Sequence, residues 1–326
     1  MLFSLDELNQ ACSIVYENLL PTPQIHWPLL SARAGAEVWV KHENHTPIGA
    51  FKVRGGCVYL THFKQQSPEA KGLITATRGN HGQSIARAAA SAGIPVTILV
   101  PEGNSVEKNR AMEAYGGKLI IHGEDFDTAA EEARRLAAAE NLVMVPSFHK
   151  SLVMGVATYA RELLKNVADL DTVYVPIGQG SGICGLITTR NLLGLKTKIV
   201  GVVAENADAY AQSFEHEHIH TTANAATFAD GMACKVPQQA AMEVIWKGCE
   251  RIIRVSEENL RDAVIALYRD THNIAEGAGA AAFAALMKER EKMAGKRVGV
   301  ILSGGNIDLE LFQKIITVTG SVEKSL

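Results

Sequence analysis

Gly178-Gln179-Gly180-Ser181-Gly182 follows the run Thr172-Val173-Tyr174-Val175-Pro176 and precedes an apolar, helix-like stretch from Ile183 to Leu193. Glycines at this density let successive backbone N–H groups turn toward an anion, and a helix start adds a favourable dipole, so the segment suits a phosphate. It is not a Walker loop, because no Lys-Ser/Thr pair follows, and its spacing is not that of the dinucleotide fingerprint. A tight strand-to-helix turn without a ligand is the alternative reading of the same residues.

Three further segments hold residue types that can do chemistry. In Thr77-Arg78-Gly79-Asn80-His81-Gly82-Gln83, Asn80 can cap a helix or hydrogen-bond an oxygen on a ring, and the glycines allow a ligand to approach closely. An Asn-bearing turn with a solvated His81 describes it equally well. In Ser303-Gly304-Gly305-Asn306 a hydroxyl stands where it could meet a heterocyclic nitrogen, although a plain turn accounts for that segment alone. Lys52 comes directly after Phe51 and just before Gly55-Gly56. By itself it reads as a solvated lysine.

The elements that must position these residues are legible as Val/Ile/Leu-rich runs at 37–41, 72–76, 95–100, 117–121, 172–176, 198–203 and 297–302, with alanine-rich helical patterns between them, such as Gln83 to Ala92 and Asp127 to Ala139. Such alternation implies βαβ units, because parallel strands need a crossover and a helix is the usual one. The fold class is α/β. Ligands of open α/β sheets bind outside the carboxyl ends of the strands, and three of the four segments stand directly after a run of this kind. A block of strands and helices from 65 to 148, ending near Pro146, reads as a small domain inserted in a larger one made of 1–64 and 149–326.

Composition narrows the partners. A formal charge of −3 gives no electrostatic case for nucleic acid or a membrane surface. No apolar stretch reaches the ~20 residues of a membrane helix, and Asp6 and Glu7 stand where a signal peptide would be basic. The five cysteines show no CxxC pair or regular spacing, which argues against a disulfide framework or a zinc site and for a reducing cytoplasm. A small-molecule substrate and further copies of the chain are the expected partners.

Taken together, the four segments resemble the serine/threonine dehydratase family, which includes serine racemase and belongs to the tryptophan-synthase-like, fold type II pyridoxal-phosphate enzymes. The resemblance spans nearly the whole chain. It implies two open, twisted parallel-sheet domains with helices on both faces, pyridoxal 5'-phosphate as cofactor, and a homodimer. It assigns Lys52 as the Schiff-base and catalytic lysine, with Phe51 beside the ring. Asn80 is implied at the ring hydroxyl, and Gly178, Gln179, Gly180, Ser181 and Gly182 at the phosphate. Ser303 is implied at the pyridine nitrogen, and Thr77, Arg78, Gly79, Asn80 and His81 at the substrate. Ala229-Asp230-Gly231 and Glu276-Gly277-Ala278-Gly279-Ala280 look like two further family segments. The implied activity is α,β-elimination from L-threonine or L-serine to the 2-oxo acid and ammonia. 3-Hydroxyaspartate, phenylserine, β-replacement and a non-catalytic amino-acid sensor stand as alternatives.

The chain departs from the pattern in places. Arg78 occupies the position where racemising relatives carry a serine acid, and an arginine that stays protonated cannot cycle as a proton donor. Either Arg78 points to solvent or it pairs with a substrate carboxylate. Ile48 and Ala50 replace the usual Thr and Ser. Glu205 and Asp208 align with a cation site of some relatives, but Ala209 stands at the expected second carboxylate; a solvated acidic loop is the alternative, and no metal is assigned. His216, His218 and His220 read as a surface segment, and the 23 residues after Ser303 are too few for a regulatory domain.

Overall fold

The computed structural model describes residues 2–67 and 69–317. Among the described residues ten strands follow one another: β1 Gln24–His26, β2 Glu37–His42, β3 Leu73–Ala76, β4 Val96–Val100, β5 Lys118–Ile121, β6 Val143–Met144, β7 Thr172–Pro176, β8 Lys198–Ala204, β9 Arg251–Val255 and β10 Arg297–Leu302. They form two sheets, and helices alternate with the strands as the apolar runs imply. The chain gathers into two compact units, one of Met1–Pro21 and Thr46–Thr158, the other of Thr22–His45 and Tyr159–Leu326.

The first unit holds a four-stranded sheet in the order β5-β4-β3-β6, parallel throughout. Every residue of β3 and β4 is buried, as expected of central parallel strands covered on both faces. Leu73, Ile85, Ile98, Val100 and Met112 share one core cluster on this sheet. Truncating a fully enclosed member such as Ile98 to alanine costs about 2–5 kcal/mol.

The division differs from the expected one at 64/65 and 148/149. Residues 46–64 group with the first unit because the helix Lys52–Gln66 packs along the helix Asn80–Ala92. A Cβ built on Gly56 would lie 2.4 Å from Ser84 Oγ, so the glycine lets the two helices close. On the other side, Gly155 lies against the carbonyl of Arg54 and draws the residues after 148 into the same unit.

The second unit holds six strands in the order β1-β2-β10-β7-β8-β9, all parallel except the short β1, which runs antiparallel to β2. The register pairs Val300 with Tyr174 and Leu302 with His42. The segments that leave β2, β10 and β7 therefore emerge side by side at one end of the sheet. The alanine-rich helix Gly277–Lys288 packs across β7 and β10, buried from Gly277 to Leu286.

Candidate active site

In the first unit, Lys52 is the first residue of its helix and Phe51 is the cap. The turn before it is closed by Thr46, whose Oγ1 accepts from the Ala50 N–H at 2.9 Å and donates to the Ala50 carbonyl at 2.8 Å. Ile48 and Ala50, the two departures from the family pattern, are buried within this turn. The Lys52 ammonium stands 4.9 Å from the centroid of the Phe51 ring. Its carbonyl accepts a 2.6 Å hydrogen bond from Ser84 Oγ, so the beginning of this helix is tied to the first turns of Asn80–Ala92.

The segment from Thr77 to Gln83 forms that second helix start, three residues earlier than its alanine pattern suggests. Thr77 is buried, and its Oγ1 accepts from the N–H groups of Gly79 at 2.9 Å and Gly82 at 3.3 Å. Gly79 has φ of 151°, and a Cβ there would fall 2.3 Å from Lys108 Cδ, so only glycine fits. Three enclosed nitrogens of this segment, Arg78 Nε, His81 Nε2 and Gln83 Nε2, have no hydrogen-bond partner. An enclosed polar atom without a partner calls for an explanation, and a ligand that binds there is one. Burial, with the Lys52 charge as a second cause, pushes the His81 imidazole down to about 3, so the ring is neutral.

In the second unit, the Gly178–Gly182 segment joins β7 to the helix Ser181–Leu192, whose residues are buried through Thr189. The first N–H groups of such a helix have no intrahelical acceptor and face an anion favourably. A Cβ on Gly178 would lie 2.1 Å from the Gly231 carbonyl oxygen, so this residue must be glycine. Gln179 is held by Gln238 Nε2 at 3.0 Å and reaches Cys234 Sγ at 3.4 Å. Ala241 and the buried Tyr210 flank Gly180. Ser303, 4% exposed, directly follows the neighbouring β10, and the Gly304 carbonyl accepts from the Glu276 N–H at 3.1 Å. Gly231 in turn lies near Ala278, and Gly279 against Gly304, so the Ala-Asp-Gly and Glu-x-Ala-Gly-Ala segments wall the ends of β7 and β10.

The structure thus brings Phe51 and Lys52 together with Thr77 to His81 in one unit, and Gly178 to Gly182 together with Ser303 in the other. Ser84, Tyr210 and Gln238 were not singled out by the sequence. Ser84 falls one helical turn after Asn80, the one signal that could have drawn attention to it. In the first unit a lysine and a helix start with unpartnered nitrogens are groups that could take an aldehyde; in the second a glycine-rich helix start suits a phosphate.

Residues 15–304 match the family model described as pyridoxal-phosphate dependent enzyme. The chain belongs to that family. It is similar to the L-threonine ammonia-lyase of Thermotoga maritima, with 30% identity over 97% of this chain and 78% of that one. It is also similar to the L-threo-3-hydroxyaspartate ammonia-lyase of Saccharomyces cerevisiae, 30% identical over 94% of each chain. Among solved structures, the processed form of threonine deaminase isoform 2 from Solanum lycopersicum superposes with a TM-score of 0.89 at 28% identity, covering 98% of this chain and 95% of that one. The fold is that of the type II pyridoxal-phosphate enzymes, and pyridoxal phosphate is the cofactor of this chain.

The cation alignment meets a different arrangement. Asp208 Oδ2 takes a 2.8 Å bond from Arg254 Nε and Oδ1 a 2.7 Å bond from Gln212 Nε2, while Glu205 is exposed. Arg254 also forks onto Glu215 at 2.5 and 2.8 Å, and these carboxylates raise its pKa further. His216 and His218 are exposed and His220 partly so, with ring centroids 4.2–6.0 Å apart. Among the described residues no helix is long and apolar enough to cross a membrane.

Proposed function

We propose that the chain is an ammonia-lyase of β-hydroxy amino acids that converts L-threonine and L-serine to the 2-oxo acid and ammonia. The relatives named as L-threonine ammonia-lyase and threonine deaminase support this substrate class. The observation that carries the reading is the setting of Lys52, whose carbonyl is tied to Ser84 while the adjoining helix start holds Asn80 and the unpartnered nitrogens of His81 and Gln83.

Lys52 would hold the cofactor through Nζ, and the same amine, when free, would take the proton from Cα. Bound pyridoxal phosphate supplies an electron sink for the pair left on Cα. The backbone of Gly178 to Gly182 binds the phosphate, with Asn80 assigned to the ring hydroxyl and Phe51 to the ring. The first-turn N–H groups at Asn80 and His81 receive the substrate carboxylate, the usual partner of a helix N-terminus. Ser303 is assigned to the pyridine nitrogen, and its neutral hydroxyl does not hold that nitrogen protonated as a carboxylate would. That choice of partner would suit loss of the β-hydroxyl over other fates of the substrate. Elimination breaks Cα–H and Cβ–O, the hydroxyl leaves as water, and hydrolysis of the C–N bond releases ammonia. A homodimer in the cytoplasm completes the reading, as closed two-fold dimers are the commonest assembly.

The test is 2-oxo acid release by the purified, cofactor-loaded protein from L- and D-forms of threonine and serine. Release from an L-form that disappears in Lys52→Ala is the expected result. No 2-oxo acid from any β-hydroxy amino acid would overturn the proposal.

A further inference from the structure

The backbone on both sides of Arg78 is fixed. Thr77 before it is buried and bound to two N–H groups of the loop, and Gly79 after it has a conformation open only to glycine, with Lys108 packed where a side chain would be. Arg78 therefore has a fixed place in the chain, two residues before the helix whose first turn carries Asn80 and His81. Arg78 is partly buried, Nε is enclosed without a hydrogen-bond partner, and among the described residues no carboxylate pairs with it. By contrast, Arg33, Arg135, Arg251, Arg254 and Arg297 each hold a carboxylate of the chain.

An enclosed guanidinium nitrogen without an acceptor costs free energy that an incoming anion recovers. The substrate's α-carboxylate is already provided for by the N–H groups of the helix start. A neutral β-substituent, the methyl of threonine or the hydrogen of serine, leaves Arg78 unanswered and partly stripped of water. We propose that Arg78 is a specificity-determining residue that forks onto a second carboxylate of the substrate, so that the preferred substrate class is a β-hydroxy amino diacid such as 3-hydroxyaspartate. This rests on the elimination reading above and narrows it. The chemistry is unchanged: Cα–H and Cβ–O break, water leaves, and the diacid ends as oxaloacetate and ammonia. Guanidinium suits the role because it is always charged and its planar donors match a carboxylate two by two.

The experiment measures kcat/KM of the holoenzyme for 3-hydroxyaspartate stereoisomers and for L-threonine in wild type, Arg78→Ala, Arg78→Gln and Arg78→Lys. The expected result is a preference for one diacid stereoisomer on the order of 100-fold, a ratio that collapses by a similar factor in the Ala and Gln variants and returns only in part with Lys. Thermal shift with L-malate, an unreactive diacid, gives a second readout: malate raises the melting temperature of the wild-type holoenzyme and not of Arg78→Gln. A diacid-to-threonine ratio that all three substitutions leave unchanged would overturn the role of Arg78 while the elimination reading stands. Absence of 2-oxo acid from every substrate in wild type would remove both.

Discussion

Ser84 Oγ donates to the carbonyl of Lys52 at 2.6 Å, joining residues 32 positions apart. The bond acts on the backbone, so it fixes where the helix carrying the lysine begins and leaves the amine to the cofactor. It also couples the lysine to the helix start that carries Asn80 and His81, so both move as one piece within the first unit.

Ser84→Ala removes this tie without adding bulk at Gly56. A hydrogen bond of this kind contributes about 0.5–1.5 kcal/mol, so the melting temperature falls by a few degrees. Small displacements of a reacting group are costly, so kcat falls by about 10-fold. Ser84→Thr keeps the donor but crowds the glycine, and is expected to lose more stability than Ala. Calorimetry and single-turnover kinetics on the three proteins check the order.

His81 provides a pH signature. Burial, then the Lys52 charge, lowers its folded-state pKa to about 3 from an ordinary value near 6.5. Between those values the unfolded chain binds a proton that the folded one does not, so this histidine's contribution to stability is complete above pH ~6.5 and declines as pH falls toward 3. His81→Gln is therefore expected to flatten the rise of stability between pH 4 and 6.5. Urea melts at pH 4.5, 5.5 and 7 check it, and parallel curves for variant and wild type would count against a buried neutral ring.

Asp208 is committed to Arg254 and Gln212, and Arg254 also to Glu215, so a fixed guanidinium already neutralises the acidic segment after β8. Magnesium or calcium at about 1 mM, or chelator, is expected to move the melting temperature by under ~1 °C, since a cation stabilises only what it binds. In Arg254→Ala the two carboxylates lose their counter-charge, and a divalent cation should then stabilise the protein. A chelator-sensitive wild type would contradict this.

The central strands were legible because β3, β4, β7, β8 and β10 are buried enough to read as apolar runs. β9 was not, since Arg251 and Arg254 interrupt Ile252-Ile253; at the edge of its sheet both arginines reach carboxylates, Glu289 and Asp208. The helix Lys52–Gln66 escaped notice because Gly55 and Gly56 are poor helix formers. Those glycines are also why it packs so closely on Asn80–Ala92, which moved the expected domain boundary. The four chemical segments stood out by residue type, and three of them also by their place after strands. Their supports Ser84, Gln238 and Tyr210 did not, because a hydroxyl or amide that serves through a backbone contact carries no signal in a single sequence.

Borohydride reduction of the cofactor-loaded protein, followed by peptide mass mapping, tests the central claim most directly. The account predicts a phosphopyridoxyl mass on Lys52, lost in Lys52→Ala together with 2-oxo acid release. A label on any other lysine, or a Lys52→Ala protein that keeps its activity, would contradict it.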